Sequence, residues 1–396
     1  MHFELYTLNF TLKMKKTILK ITDFIIALIF LLYITGYGYI LQAGKTVYGN
    51  GHITSFIDDY RFFPTRKIDN DPQHIWHWPE TKDYNQIKPT ERLLDEHKKL
   101  ETTAFLIIKN DSIFSENYYE GYHKDSLSNS FSMAKSMTEA LLGKAVKDGY
   151  VSLSDKAKKY IPGLQGKYAD EVTVGQIASM RSGSDWVENY YNPFYITTEA
   201  YFCDDLNKLM LEDVRIDNKP GEKFNYLSGD TQLMGMIITN ATGMTLSEYM
   251  SKSFWKPMGA RKYALWTLDD KAQMEKAFCC INSNARDFAR FGKLYEHLGN
   301  WEGNQILDTA FVRKSLTAPL KDTPYYGYSW WLSDYKGKNI AYMRGVLGQY
   351  VIIIPEDRLI IVRLGKSKDF FPNGKHHSND FYIFIDEAYN MLEQRK

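Results

Sequence analysis

The sequence predicts an α+β (α/β) chain: one antiparallel sheet assembled from both ends of the chain and flanked by helices, an all-helical domain inserted between, and one apolar helix in front. Three observations predict it. Strand-like alternation occupies 103–119, a helical period dominates from about 172 to 298, and strand-like runs return after 328.

The N-terminus reads first. Lys13, Lys15, Lys16 and Lys20 precede an uncharged run from Phe24 to Gly44. At a rise of about 1.5 Å per residue, such a run spans about 30 Å, one hydrocarbon core. Residues 1–20 then form a basic cytoplasmic N-terminus and 21–44 a transmembrane signal anchor, with the remainder across the membrane in the periplasm or outside the cell. Tyr33, Tyr37 and Tyr39 suit the far interface. No A-x-A pattern follows the densest part, Phe24 to Ile34, so an uncleaved anchor is expected rather than a cleaved signal peptide.

Residues 45–98 read as an irregular, aromatic-rich extension broken by Gly49-Asn50-Gly51, Pro64, Pro72 and Pro79. The main domain follows over 99–394, with a sheet lobe of about 99–165 and 300–394 and a helical lobe of about 166–299. Thr103–Ile108 and Ile113–Tyr119 form a hairpin around Asn110-Asp111. A helix runs from Ser132 to Lys147 and stops at Asp148-Gly149. Ser154-Asp155 opens another. Loops are expected at Ser182–Pro193 and Asn218–Glu222. Tyr328–Ser333, Val351–Ile354 and Leu359–Leu364 read as strands, and Ser378–Leu392 as the last helix.

Composition excludes several classes. The net charge is +1 and Lys and Arg are spread along the chain, so the basic stripe that nucleic acid requires is missing. Three cysteines occur, Cys203, Cys279 and Cys280. Adjacent cysteines rarely bridge, and these read as small buried hydrophobes. His74-Ile75-Trp76-His77 lacks a third metal ligand, so loop histidines are expected there. Neither metal nor cofactor is expected.

The candidate chemistry lies in F-S-M-A-K-S-M-T-E-A-L-L-G-K, residues 131–144. Ser132 and Lys135 share one helix face. A serine hydroxyl needs a base to become a nucleophile. An ordinary lysine titrates near about 10.4 and would need to fall by about 3 units. Burial among Phe131, Met133, Ala134 and Met137 pushes that way, as does the positive end of the helix. Spacing alone is weak: Ser253–Lys256 and Ser333–Lys336 repeat it, and an N-cap serine beside an exposed lysine is the competing reading.

Four further segments stand beside it: Val172–Gly183, containing S-M-R-S-G; Pro220–Ser228, P-G-E-K-F-N-Y-L-S; Asn284–Gly292, N-A-R-D-F-A-R-F-G; and Gly345–Tyr350, G-V-L-G-Q-Y, followed by Pro355-Glu356. Together over about 100–394 they resemble the serine β-lactamase/penicillin-recognising superfamily. The branch is the one holding class C β-lactamases, family VIII esterases and 6-aminohexanoate-dimer hydrolases. The resemblance implies a β-lactamase/transpeptidase-like fold and acyl-enzyme hydrolysis of a small ester or amide. It implies Ser132 as nucleophile, Lys135 and Tyr226 as the proton-transfer pair, and the backbone N–H groups of Ser132 and Gln349 as oxyanion hole. Lysine beside the phenol can hold it ionised. Ser228 would orient Lys135 or substrate. Gly348, Val346, Asp185, Trp186 and Tyr190 would border the substrate, the last three on the loop 184–191. Arg286 and Asp287 read as a structural ion pair or cap.

One position departs from the pattern. Penicillin-targeted members carry K-T-G and many esterases H-x-G, where this chain has Val346-Leu347-Gly348. The cation that grips a substrate carboxylate is missing, and Arg344 is the nearest substitute. The alternatives are a non-catalytic binding or sensor module on the same fold and, against Val346, a β-lactamase or D-alanyl-D-alanine carboxypeptidase.

Overall fold

The computed structural model describes residues 2–190 and 192–395; Met1, Tyr191 and Lys396 lie outside the described residues. In chain order the elements begin with α1 (His2–Ile34), α2 (Tyr39–Thr46), β1 (Thr65–Ile68) and α3 (Glu91–Lys99). The hairpin β2 (Thr102–Lys109) and β3 (Ser112–Tyr118) follows, then β4 (Ser128–Asn129) and α4 (Met133–Lys147). The inserted region holds α5 (Val174–Ala178), α6 (Ile196–Phe202), α7 (Leu206–Glu212), α8 (Ser228–Thr242), α9 (Leu246–Met250), β5 (Ala264–Thr267) and β6 (Ile281–Ser283). After α10 (Ala285–Glu296) come the short hairpin β7 (Asn300–Trp301) and β8 (Asn304–Gln305), and α11 (Thr309–Ser315). The chain ends with β9 (Trp331–Ser333), β10 (Ile340–Gly345), β11 (Gln349–Ile354), β12 (Leu359–Gly365) and α12 (Asn379–Glu393).

The main sheet has six strands in the order β3-β2-β12-β11-β10-β9. Every pair is antiparallel, with Ile108 opposite Ile360 and Ile352 opposite Ile361. Side chains alternate across a strand, and here both faces are buried. Ala104, Leu106 and Ile108 join the larger core, while Phe105 and Ile107 join a second core with Phe381, Phe384 and Ile385 of α12. Two buried faces are why these strands read as unbroken apolar runs. On the larger-core side α10 packs against the sheet at Gly292, where a Cβ would fall 2.9 Å from Val351. α4 lies next, against α8 and β10.

Several elements differ from expectation. The apolar run Phe24–Gly44 is not one helix. α1 stops at Ile34, and α2 folds back on the body with Tyr39 and Thr46 buried. The stretch long and apolar enough to cross a membrane is Phe10–Ile34. The aromatic extension is not wholly irregular: β1 pairs with β5, Thr65 opposite Thr267, in a second sheet ordered β1-β5-β6-β4. Ser154-Asp155 opens no α-helix, only a single 3₁₀ turn at Ala157–Lys159. Four strands, not three, return late, because the mixed polar segment Ile340–Gly345 takes its place between two partners.

Arg286 and Asp287 hold the layers together. Arg286 forms a two-pronged bond with Glu116 of β3, whose side chain is 6% exposed. Asp287 accepts the Arg261 and Lys262 N–H groups at 2.9 and 3.1 Å and Arg290 Nε at 2.8 Å. Removing one partner of a buried pair leaves an uncompensated charge. Arg286→Ala is expected to lower unfolding stability by about 3 kcal/mol in a urea titration, with far-UV dichroism of the native state unchanged.

Candidate active site

The nucleophile candidate sits on a forced turn. β4 pairs with β6, and Ser130 N–H donates to Ile281 O at 2.9 Å. Phe131 then adopts φ +44°, a region that residues with a side chain seldom occupy, with its N–H held by Asn129 Oδ1 at 2.9 Å. Ser132 follows at the N-cap position just before α4, yet its hydroxyl makes no capping bond to the helix. It accepts a hydrogen bond from Lys135 Nζ at 3.3 Å and lies close enough to the Tyr226 phenol to act on it. The competing N-cap arrangement is therefore not the one adopted.

Lys135 is 1% exposed. Its ammonium has three hydrogens, and all have acceptors: Ser132 Oγ, Ser228 Oγ at 3.0 Å and Phe278 O at 2.9 Å. Burial pulls its pKa down to about 8. Tyr226 moves the other way. Its ring packs on Trp331 and Tyr326, and burial pushes the phenol well above its ordinary value, with Ser132 acting in the opposite sense. The same burial thus shifts the two neighbouring groups in opposite directions.

Ser228 leads to a residue that sequence reasoning passed over. Glu188 Oε2 accepts Ser228 N–H at 2.7 Å and Trp186 Nε1–H at 2.8 Å. Its Oε1 accepts Ser228 Oγ–H at 2.7 Å and the Tyr190 hydroxyl. Four donors fill the lone-pair positions of one carboxylate. The negative charge, one hydroxyl away from Lys135, opposes the fall in the lysine pKa. Loop position hid Glu188; its spacing of two from both Trp186 and Tyr190 was the available signal.

The opposite wall is the turn between β10 and β11. Gly345 lies so close to Ser130 O that a Cβ would stand 2.3 Å from it. The buried Arg363 grips this turn, donating to Leu347 O at 2.7 Å and Gly348 O at 2.9 Å. Gly348 has φ +76°. The Gln349 side chain turns inward and donates to Gly365 O at 2.6 Å. A cavity of about 120 Å³ remains, lined by Phe131, Ser132, Tyr190, Ser228, Phe278, Cys279, Val346 and Leu347 among others. Cys279 corrects the expectation of unbridged cysteines. The chain bends at Cys280 (φ +74°), and the two sulfurs are joined.

The beta-lactamase family profile matches residues 90–383. The chain belongs to the beta-lactamase family. It is 25% identical to the 6-aminohexanoate-dimer hydrolase of Paenarthrobacter ureafaciens, over 74% of this chain and 81% of that one. The fold resembles that of a candidate 6-aminohexanoate-dimer hydrolase from Bacillus anthracis (TM-score 0.72, 21% identity, 85% of this chain and 92% of that one). It also resembles a D-stereospecific amidohydrolase from Streptomyces sp. (TM-score 0.54, 15% identity, 67% and 89%).

Not every expected residue of this beta-lactamase-family chain joins the cavity. Asp185 is exposed and is bound to the Arg215 backbone, accepting its N–H at 2.9 Å. Trp186 is buried behind the site, against Gly229, where a Cβ would meet its ring at 2.6 Å. Arg344 lies over Trp331 at 3.3 Å from the ring centre and donates to His376 O at 2.9 Å. Its guanidinium is thus already committed. His74 pairs with Asp71 at 2.7 Å.

The Glu188 contact makes a signed prediction. Replacing the carboxylate by an amide removes a charge that favours protonated Lys135, so the lysine pKa falls further. Glu188→Gln is expected to move the midpoint of the pH–rate profile for fluorophosphonate labelling down by about one unit. Trp186→Phe, which keeps the charge, should leave that midpoint in place.

Proposed function

We propose that the protein is a membrane-anchored serine hydrolase that cleaves a small ester or amide through an acyl-enzyme on Ser132. The observation that carries this reading is Lys135, wholly buried, bonded to Ser132 and Ser228, with its pKa pulled down to about 8. A lysine held so is neutral in a sizeable fraction near neutral pH and can take a proton. As Ser132 Oγ attacks the carbonyl carbon, its proton passes to Lys135. The new oxyanion lies at the N-terminus of α4, facing the backbone N–H groups of Ser132 and Gln349. Tyr226 donates its proton to the leaving oxygen or nitrogen and is reprotonated from Lys135. Water then attacks the acyl-enzyme, the same pair takes its proton, and Ser132 recovers its own.

The acyl pocket supports a neutral substrate. Val346 occupies the position where relatives of the penicillin-targeted branch carry a cation, and Arg344 is held by Trp331 and His376. The apolar Phe10–Ile34 helix supports an anchor with the domain outside the cytoplasm. The joined Cys279 and Cys280 suit an oxidising compartment.

A fluorophosphonate probe should label the wild-type protein and leave Ser132→Ala unlabelled; equal labelling of both would end the assignment. The sign of the pH dependence follows from Lys135. Labelling should rise with pH, with a midpoint near about 8, because the neutral amine is the active form. Nitrocefin, which carries a carboxylate, should turn over no faster than with Ser132→Ala; brisk wild-type turnover would restore the β-lactamase alternative.

A further inference from the structure

The catalytic cavity and the membrane-proximal chain share a wall. α1 ends at Ile34, and Tyr37 is three residues on, so at most about 11 Å of extended chain separates them. The Tyr37 ring stands 5.5 Å from Phe194, edge to face, and the Tyr39 hydroxyl donates to Pro193 O at 3.0 Å. The loop that carries Tyr190 over the cavity is therefore fastened directly to the turn where the chain leaves the apolar helix. Tyr39 and Val47 pack on Phe202, and Phe202 itself lines the cavity. One side chain thus divides the juxtamembrane helix from the reaction chamber.

The chain then enters the chamber. Thr54 and Ser55 line it alongside Ser132. Asp59, 1% exposed, fixes this stretch by accepting from Tyr201 OH at 2.7 Å and from Asn129 Nδ2 at 3.0 Å. Asn129 also holds Phe131 N–H, next to the nucleophile.

The chain next to the lining forms an apolar, exposed rim: Tyr190, which lines the cavity, is 49% exposed, Ile53, beside the lining Thr54, 87%, Phe194 60% and Tyr37, packed on Phe194, 38%. Scattered exposed apolar residues are ordinary, but these lie on the juxtamembrane chain and the loop it is fastened to. Tyr37 and Tyr190 there match the preference of tyrosine for the zone where lipid meets water, and Phe194 and Ile53 add apolar surface beside them. The chamber, about 120 Å³, accepts only a short fragment, so the bulk of a larger substrate must rest on that rim.

Resting on the hydrolase reading above, we propose that the cavity opens at the membrane interface and that the substrate is a membrane-resident amphiphile, with its ester or amide close to its polar end. The short polar end enters the chamber, its carbonyl reaches Ser132, and the apolar remainder stays in the bilayer against Phe194 and Ile53. Water completes the reaction, releasing the short acid and the amphiphilic alcohol or amine.

Two fluorogenic esters that form the same acetyl-enzyme test this, with full-length protein reconstituted in phosphatidylcholine vesicles. One is the acetyl ester of 4-methylumbelliferone, dissolved in water; the other is the acetyl ester of 4-heptadecylumbelliferone, dissolved in the vesicles. The vesicle-borne ester should be cleaved at least about tenfold more efficiently. Phe194→Asp and Ile53→Asp should each bring the ratio of vesicle-borne to soluble cleavage most of the way back to one, with far-UV dichroism of each variant reporting folding. If Phe194→Asp loses both activities, Ile53→Asp decides. Equal efficiency on both esters, or an advantage untouched by Ile53→Asp, overturns the proposal while the hydrolase reading stands. If neither ester is cleaved and fluorophosphonate does not label Ser132, both readings fall.

Discussion

An ammonium group kept from water is what the rest of the structure is arranged around. Burying a charge costs several kcal/mol unless it is bonded on every side, and Lys135 meets that demand with acceptors from three parts of the chain. Ser132 comes from its own helix, Ser228 opens α8, and Phe278 O belongs to the turn before β6. None of the three can move without stranding a hydrogen. The sheet lobe, the inserted helices and the segment between β5 and β6 are thereby tied to one nitrogen atom. The balance is struck twice: burial drives the proton off, and the Glu188 charge, passed through Ser228, draws it back.

The same economy explains the asymmetry between lysine and phenol. Burial weakens an ammonium and strengthens a phenol's hold on its proton. One environment therefore moves the pKa values of Lys135 and Tyr226 apart. On the far wall, Arg363 gives four hydrogen bonds to backbone carbonyls and holds open a turn that has no cation of its own.

Much of this was legible beforehand, for reasons that differ by element. The strands of the sheet are apolar on both faces, so Thr103–Ile108 and Leu359–Leu364 announced themselves. α4 and α12 carried clear starts and stops. Ser132, Lys135, Tyr226 and Ser228 were legible through ordered motifs, and the structure gathers them around one point. β10 was missed because its Tyr342 and Arg344 break the apolar run, and β1 because its partner lies some 200 positions away. Helical period misled over 264–283, where two short strands interrupt it. Glu188 was missed because a loop carboxylate has no periodicity to mark it; only its four bonds do. Asp185 drew notice instead, and its partner is the Arg215 backbone. The adjacent cysteines were read from what such pairs usually do, and the positive φ at Cys280 is not visible in composition.

The strand order has a consequence for how the molecule comes into being. β2 is the second strand of the main sheet, between the edge strand β3 and β12, and β12 comes about 250 residues later in the chain. The early hairpin therefore waits, with one edge of β2 unpaired, until nearly the whole polypeptide has been made. Pairings this distant in sequence form slowly, since loop closure must precede their reward. An open strand edge during that interval is a site for association with other chains. On the proposed reading of the chain as an exported, membrane-anchored protein, this interval is met on the far side of the membrane. Its maturation there depends on whatever holds the first hairpin apart from its neighbours until the last strand arrives.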